Sequence, residues 1–199
     1  GIDYNPEALK FAENVSKNLS NNCKFQNISL FDFSPKKKFD LVISMGVLHH
    51  THDCLKALDK TCKFANKKSH ICIGLYHKYG RKPFLEFVEE LKNLDESQKF
   101  KRYKEIHQLK DQTHLKSWFR DQVLHPHETQ HTLSEVINIF EHNNIKFTGT
   151  SINHFEKDEK FTDILNKEHE LYKYGKKKIQ NKIYYPGFFI VVGEKDVIR

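Results

Sequence analysis

Three short apolar runs limit the folds that this sequence can adopt. They occupy residues 39–44 (FDLVIS), 71–76 (ICIGLY) and 188–192 (FFIVV). Continuous apolar runs of this length are typical of strands that are buried on both faces of a parallel sheet. Between the first two runs, Asp53 is suited to cap a helix whose apolar face comprises Leu55, Leu58, Cys62 and Ala65. The order strand, helix, strand predicts an α/β protein with a parallel sheet.

The first residues predict a strand end followed by a helix. Gly1, Ile2 and Asp3 resemble the end of a buried strand, Asn5 suits the N-cap, and Pro6 suits the first helical position. Apolar residues then recur every three or four positions, which predicts a helix with one buried face that ends near residues 21–22. These positions are Ala8, Phe11, Ala12, Val15 and Leu19. A short strand is expected within residues 23–30.

The middle of the chain interrupts the α/β order. Residues 81–122 carry three apolar helical faces and no convincing strand pattern, which indicates a helical insertion. The α/β pattern then resumes with a helix marked by Leu133, Val136, Ile137 and Phe140, a strand at 145–152, a helix at 159–173 and a last strand at 187–193. We therefore expect an incomplete α/β half at 1–80, a helical cap at 81–128, and a second α/β half at 129–199 that completes the sheet.

Composition excludes several classes of protein. The 199 residues carry a net charge of +7, but its lysine runs lie in loop-like stretches and arginine is scarce, so nucleic-acid binding is not favoured. No apolar run approaches the ~20 residues that a membrane span needs. None of the four cysteines forms a C-x-x-C pair, and each lies among apolar residues. This predicts buried free thiols in a cytoplasmic protein. The sequence does not indicate an oligomeric state.

Four stretches resemble the class I S-adenosylmethionine-dependent methyltransferases. They are GIDYNPEALKFAEN, KFDLVISMGVLHHTHD, HICIGLYHKYGR, and IKFTGTSIN together with GFFIVVGEK. They are similar to that family's second strand and helix, its fourth strand and loop, its fifth strand, and its closing antiparallel pair. The resemblance implies a Rossmann-like sheet, mostly parallel with an antiparallel closing strand, and S-adenosyl-L-methionine as the cofactor.

The resemblance also implies a segment that this sequence does not show. In that family a first strand and a glycine-rich turn of the form G-x-G-x-G precede the second strand. The chain has eight glycines, and none of them makes a G-x-G. We interpret the sequence as an N-terminally truncated methyltransferase, a fragment that is expected to be inactive by itself. A divergent pseudoenzyme and an incomplete gene model are the alternatives.

Cofactor-binding positions follow from the resemblance. Asp3 would accept hydrogen bonds from both ribose hydroxyls, since an ionised carboxylate only accepts; alternatively it only helps to cap the first helix. Tyr4 would pack near the adenine. The remaining candidates follow the third and fourth strands of the family and are Ser29, Leu30, Ser44, Met45 and Gly46.

Histidines crowd the loop after residue 46. His49, His50 and His52 fall within four residues, but adjacent histidines point in different directions and do not converge tetrahedrally as zinc requires. We therefore predict no metal site. The loop follows the carboxyl end of a strand, where ligands bind in open α/β sheets. His50 is the candidate catalytic base or pocket residue, and its alternative role is to fix the loop.

A second histidine cluster, HPHETQH, follows the insertion. Pro126 is expected to start a helix on which His127 and His131 share one face. That face is either a wall of the substrate site or a solvated surface. With the cap expected to cover the site, the candidate substrate-binding residues are His49, Tyr76, Arg81, Trp118, Asp121, His125, His127 and Glu128.

Transfer of a methyl group to a small-molecule acceptor is the function that the resemblance implies. A non-catalytic interaction module that kept the fold is the alternative from another class. A nucleic-acid methyltransferase is a further alternative, suggested only by the charge.

The role of Asp3 has a direct test. In a chain that carries the family's first strand and glycine turn before Gly1, Asp3→Ala should weaken cofactor binding by roughly 1.5–3 kcal/mol, the scale of a hydrogen bond to a charged group. Calorimetric titration measures this loss, and thermal unfolding checks that the fold is kept. An affinity equal to that of the parent would leave Asp3 a capping residue only.

Overall fold

The computed structural model describes residues 1–19, 22–107, 109–125 and 127–196. Their strands form two separate sheets, one of two strands and one of four. In the smaller sheet, β1 (Ile2–Asp3) pairs in parallel with β2 (Gln26–Asn27), and helix α1 (Pro6–Asn18) connects them. The strand predicted within residues 23–30 is therefore present but only two residues long.

The start of α1 is as predicted. The Asn5 side chain accepts hydrogen bonds from the backbone N–H groups of Glu7 and Ala8, and Pro6 occupies the first turn. The helix ends at Asn18. Of the two positions near which its end was predicted, Asn21 lies outside the described residues and Asn22 lies beyond the helix.

The apolar face predicted for α1 is not buried. Phe11 is 72% exposed and Leu19 is 64% exposed, whereas Leu9 and Ser16 are buried. The prediction was wrong because α1 packs mainly on β1 and β2, and these two short strands cover only the opposite side of the helix. The exposed face is free for another element to cover.

The larger sheet has the order β3-β4-β6-β5. Strand β3 (Phe39–Met45) runs parallel to β4 (Ala65–Tyr76), while β6 (Phe188–Lys195) runs antiparallel to β4 and to β5 (Ile145–Thr150). Since β3 and β4 are parallel, both have their carboxyl ends at one edge of the sheet. The antiparallel closing pair predicted from the sequence is present.

One face of β3 is open. Phe39, Leu41, Ile43 and Met45 are between 41% and 59% exposed, and only Val42 is buried. The expectation of a strand buried on both faces was therefore wrong. In the described part of the chain, β3 pairs with β4 alone, so its other edge is unpaired.

The main hydrophobic core lies between the larger sheet and two helices. These are α2 (Cys54–Lys63), capped by Asp53, and α6 (Leu133–His142), which begins with a capping box of Thr132 and Glu135. The core includes Leu58, Ile73 and Phe140, all fully buried. Ala65, predicted on the face of α2, is instead the first residue of β4.

The insertion forms three helices, as predicted. They are α3 (Lys78–Glu90), α4 (Glu96–Ile106) and α5 (Gln112–Val123), and we call them the cap. The cap has its own core, in which Phe84 and Tyr103 are fully buried.

Helix α7 (Phe161–Gln180), longer than expected, packs against α3. Ile179 at its end and Tyr184 beyond it pack against the core of the cap. The C-terminal part of the chain therefore shares its packing with the insertion. Strand β5 ends two residues before the predicted strand did, because Ser151–Asn153 form a 3-10 turn.

The cysteines are free thiols, but not all of them are buried. Cys54 and Cys62 lie in the main core, Cys72 is half-buried, and Cys23, in the loop before β2, is exposed. In the ranges given above, every helix falls short of the length and apolar character that crossing a bilayer requires.

Gly187 is the glycine that the fold needs most. It has φ of +65°, and a Cβ there would overlap the backbone of Gly80 and Arg81. We expect Gly187→Ala to lower the free energy of unfolding by roughly 3 kcal/mol or more, because strain and overlap add. Gly46 is the matched control: its φ is +72°, but a Cβ would have its nearest neighbour, the Phe188 ring, at 4.0 Å.

Urea denaturation measures both variants. Gly46→Ala should lose only about 1–2 kcal/mol, the cost of the left-handed conformation. Equal losses for the two variants would contradict the close approach between Gly187 and α3.

Candidate functional site

A short segment, residues 127–131, crosses the carboxyl ends of β3 and β4, and we call it the strap. The N–H of Thr129 donates to the carbonyl oxygen of His49 at 2.8 Å, and the N–H of His131 donates to that of Tyr76 at 2.9 Å. The carbonyl oxygen of His131 accepts from the N–H of Lys78 at 2.9 Å. The strap thus joins the ends of both strands.

The helix that was predicted to start at Pro126 does not form across the strap. Pro126 itself lies outside the described residues. Residues 127–131 are not helical, and α6 begins at Leu133. Because the N–H groups of Thr129 and His131 bond to His49 and Tyr76, they do not form helical bonds. His127 and His131 consequently do not share a helical face.

His50 lies under the strap, at the end of a 3-10 turn (Leu48–His50) that follows β3. Its Nδ1 is 2.9 Å from the carbonyl oxygen of His127. A carbonyl oxygen only accepts, so Nδ1 carries the proton, and in the neutral ring the lone pair is on Nε2. The ring of His125 packs on that of His50 with 4.0 Å between the centroids. A basic nitrogen is therefore available at this edge of the sheet.

The surroundings of His50 favour its neutral form. Burial lowers the pKa of His50, although the hydrogen bond to the His127 carbonyl opposes this change. Nearby His125 lowers the pKa further, while the carboxylates of Asp121 and Glu128 raise it. Burial dominates, which keeps His50 able to accept a proton near neutral pH.

His49 forms the back wall of the site. It is 1% exposed, its Nδ1 accepts from the N–H of Tyr76 at 3.3 Å, and its ring packs on that of Tyr76 at 4.1 Å. Burial is the main cause that lowers the pKa of His49 to about 3, with His50 and Arg81 contributing. His49 is therefore neutral with its proton on Nε2, and this nitrogen has no hydrogen-bond partner among the described residues.

Arg81 is the most buried charge of the site, with 0% exposure. Its Nε and Nη2 donate to the two carboxylate oxygens of Glu128 at 2.9 and 2.7 Å. The other N–H groups donate to the side chain and carbonyl of Gln122 and to the carbonyl of Pro186. The guanidinium also lies 3.8 Å from the centroid of the Tyr76 ring. All of its donors are used within the protein, so Arg81 supports the site from behind.

Gln122 connects the cap to the sheet. Its Nε2 donates to the hydroxyl of Tyr76 and to a carboxylate oxygen of Asp121, both at 2.5 Å, and its Oε1 accepts from the hydroxyl of Tyr184 at 3.0 Å. Burial raises the pKa of Tyr76, so its hydroxyl stays protonated. Sequence reasoning missed Gln122, because a glutamine on a helix carries no motif.

A second buried pair fixes the helices around the site. His77 caps α3 through its Nδ1, which accepts from the N–H groups of Tyr79 and Gly80, and its Nε2 is 2.7 Å from Glu168 of α7. The same carboxylate accepts from the N–H of Leu133, the first residue of α6, at 2.6 Å. This pair was also missed, although a histidine directly after an apolar strand was visible.

Most of the predicted substrate residues converge at this edge. His49, His50, Tyr76, His125, His127 and Glu128 are linked to one another or to the strap, and Asp121 joins them through Gln122. Trp118 does not join them. Its ring packs on His107 and Tyr184, at 5.4 and 5.7 Å, inside the cap.

The predicted cofactor residues lie at strand ends. One oxygen of Asp3 accepts from the N–H of Asn5 at 2.7 Å, and Tyr4 is 81% exposed. The hydroxyl of Ser29 accepts from the N–H of Phe31, whereas Leu30 packs on the main core. Ser44 and Met45 are the last residues of β3, and Gly46 follows them, with its N–H donating to the carbonyl oxygen of Gly74 in β4.

Two other kinds of feature can indicate a functional site: a metal-binding group and a groove. Among the residues that the structure describes, no three side chains of His, Cys, Asp or Glu form a metal-binding group. A groove of about 280 Å³ lies between α3, α4 and α7, with Phe87, Ile106 and Ile179 in its lining. It contains none of the site residues.

Comparison with known proteins gives the following matches. The model of a family described as a methyltransferase domain matches residues 1–186. A search of curated proteins found no match. Among solved structures, PKMT2 from Rickettsia typhi in complex with AdoHcy has a TM-score of 0.66 and 14% identity, over 100% of this chain and 44% of that one.

Two further structures are similar. Magnesium protoporphyrin IX methyltransferase (ChlM) from Synechocystis with bound SAH has a TM-score of 0.56 and 12% identity, over 98% of this chain and 63% of that one. YcgJ from Bacillus subtilis has a TM-score of 0.53 and 13% identity, over 100% and 82%. These likenesses confirm the Rossmann-like fold. The chain spans less than half of PKMT2 and less than two thirds of ChlM.

The buried state of His49 predicts a pH dependence of stability. Its pKa falls from 6.5 to about 3 on folding, so below pH 6.5 the unfolded state binds more protons and folding weakens as pH falls. From pH 6.5 to 5, His49 alone should contribute a loss of about 1.6 kcal/mol. His49→Gln removes this contribution, and urea denaturation at both pH values measures it. A variant with the same loss as the parent would contradict a neutral buried His49.

Proposed function

Because the chain belongs to the methyltransferase domain family, we propose that it serves S-adenosylmethionine-dependent methyl transfer to a small-molecule acceptor. The observation that carries the proposal is the set of polar groups gathered at the carboxyl ends of β3 and β4 under the strap. Ligands of open α/β sheets bind at this edge. The family match covers residues 1–186 and supports the same assignment.

The residues at the strand ends fit the cofactor in their chemistry. Asp3 has a carboxylate oxygen without a hydrogen bond to any described residue, which suits a ribose hydroxyl. Tyr4 offers an exposed ring for the adenine, and the open space around Gly46 suits close approach of a ligand to the backbone. When bound, the cofactor supplies the sulfonium methyl group. Ser29, Leu30, Ser44 and Met45 remain candidate neighbours.

The open edge of β3 favours one further element. β3 has exposed apolar residues, and α1 exposes Phe11 and Leu19. The pairs β1–β2 and β3–β4 are both parallel, and they belong to separate sheets. We infer that another parallel strand, ending in a glycine-rich turn, fits between β1 and β3 in the active protein. Such a strand would pair the free edge of β3 and cover part of its face.

The acceptor side of the site is assigned to the strap and to the ends of β3 and β4. His50 is the proposed base, with Tyr76, Asp121, His125 and His127 around the acceptor. The groups around the acceptor are held in place by His49, Arg81 and Glu128. The side chain of Trp118 packs inside the cap. The protein provides alignment of acceptor and methyl group, and exclusion of water, as its main contributions.

The buried free thiols Cys54 and Cys62 fit a reducing compartment, and we assign the protein to the cytoplasm. Burial raises the pKa of both thiols to about 12, which makes them inert. Nucleic acid is not proposed as the acceptor. An interaction module without catalysis is the outcome if the cofactor does not bind.

Calorimetric titration with S-adenosylmethionine tests the proposal. The 199-residue chain should bind weakly or not at all, because β3 has a free edge where the cofactor turn belongs. A chain extended before Gly1 by an apolar strand and a G-x-G-x-G turn should bind, and Asp3→Ala should remove much of the gain. Tight binding by the unextended chain would contradict the inferred strand. Failure of the extended chain to bind would contradict the proposed function.

A further inference from the structure

The charges around His50 do not cancel. Arg81 and Glu128 form a bidentate ion pair and neutralise each other. The carboxylate of Asp121 accepts from the amide of Gln122, and no ion pair of the described residues includes it. This leaves one unpaired negative charge near His50.

The network fixes the position of this charge. Gln122 is buried and holds Asp121 and the hydroxyl of Tyr76 through the same amide nitrogen. Its Oε1 is held in turn by Arg81 and Tyr184, so the amide cannot rotate freely. Asp121 is thereby kept beside Tyr76, and its side chain is exposed rather than buried.

We propose that the methyl acceptor of this site is a protonated amine, with Asp121 as the counter-charge and His50 Nε2 as the group that takes its proton. This inference rests on the proposed function and names its substrate class. The tautomer of His50 carries the argument, because the His127 carbonyl leaves the lone pair on Nε2. A cation is attracted by the unpaired carboxylate.

The proposed step balances in protons and electrons. One N–H bond of the ammonium group breaks, its proton moves to His50 Nε2, and the electron pair stays on the amine nitrogen. With S-adenosylmethionine bound, that pair would form the bond to the cofactor's methyl carbon, and the electrons of the broken carbon–sulfur bond would return to sulfur. His50 becomes an imidazolium ion that keeps its Nδ1–H bond to His127, and it then loses the Nε2 proton to water.

Other acceptor classes fit the same edge less well. A carboxylate or phosphate acceptor needs a free cation, and every N–H group of Arg81 is already used. Burial keeps His49 and His50 neutral, so they add no positive charge. An alcohol would leave the charge of Asp121 uncompensated.

Nuclear magnetic resonance of the histidine rings tests the proposal in the 199-residue chain. Three probes share one ring: benzylammonium, benzyl alcohol and benzoate. We expect saturable shifts of the His50 and His125 signals with benzylammonium only. Asp121→Asn should raise the dissociation constant about three- to fivefold, the range of an exposed ion pair. Asp196→Asn is the matched control. It removes an equal charge just after β6, whose carboxyl end pairs with the amino-terminal half of β4, and it should leave the dissociation constant unchanged.

Three outcomes would overturn the proposal: equal shifts with benzoate or benzyl alcohol, no shift with benzylammonium, or equal weakening by Asp121→Asn and Asp196→Asn. The proposed function can fail independently of these results. It depends on cofactor binding by the extended chain, whereas charge selectivity at His50 is measured without any cofactor.

Discussion

The rest of the site depends on the burial of one arginine. Arg81 has no contact with water, and a buried guanidinium is tolerated only when its charge and its donors are satisfied. Glu128 supplies the charge, and Gln122 and Pro186 supply the remaining acceptors. These partners belong to the cap, to the strap and to the segment before β6. One side chain therefore fixes three parts of the chain that are distant in sequence.

This arrangement explains how the edge of the sheet acquires its chemistry. Glu128 lies in the strap, so its pairing with Arg81 also places His127, whose carbonyl sets the tautomer of His50. Gln122, held by Arg81, orients the hydroxyl of Tyr76 and the carboxylate of Asp121. Removal of either partner of the ion pair would leave a buried charge unpaired and release the strap. Positioning and stability of the site thus have a common origin.

Local patterns in the sequence were sufficient to predict most of the helices and strands and to identify the family. The caps at Asn5 and Asp53, the apolar strands and the three cap helices follow from short-range rules, and the family assignment is confirmed. The exposed faces of α1 and β3 were not predictable, because periodicity identifies an apolar face and not what covers it. The strap was mistaken for a helix because its backbone bonds lead to His49 and Tyr76, which no local pattern encodes.

The tautomer of His50 tests the central claim most directly. Long-range proton–nitrogen spectra of the histidine rings at neutral pH distinguish a proton on Nδ1 from one on Nε2. The structure requires His50 to be protonated on Nδ1, facing the carbonyl of His127, and His49 to be protonated on Nε2. If His50 instead carries its proton on Nε2, the strap does not hold it as described, and it has no lone pair at the position from which a base would act.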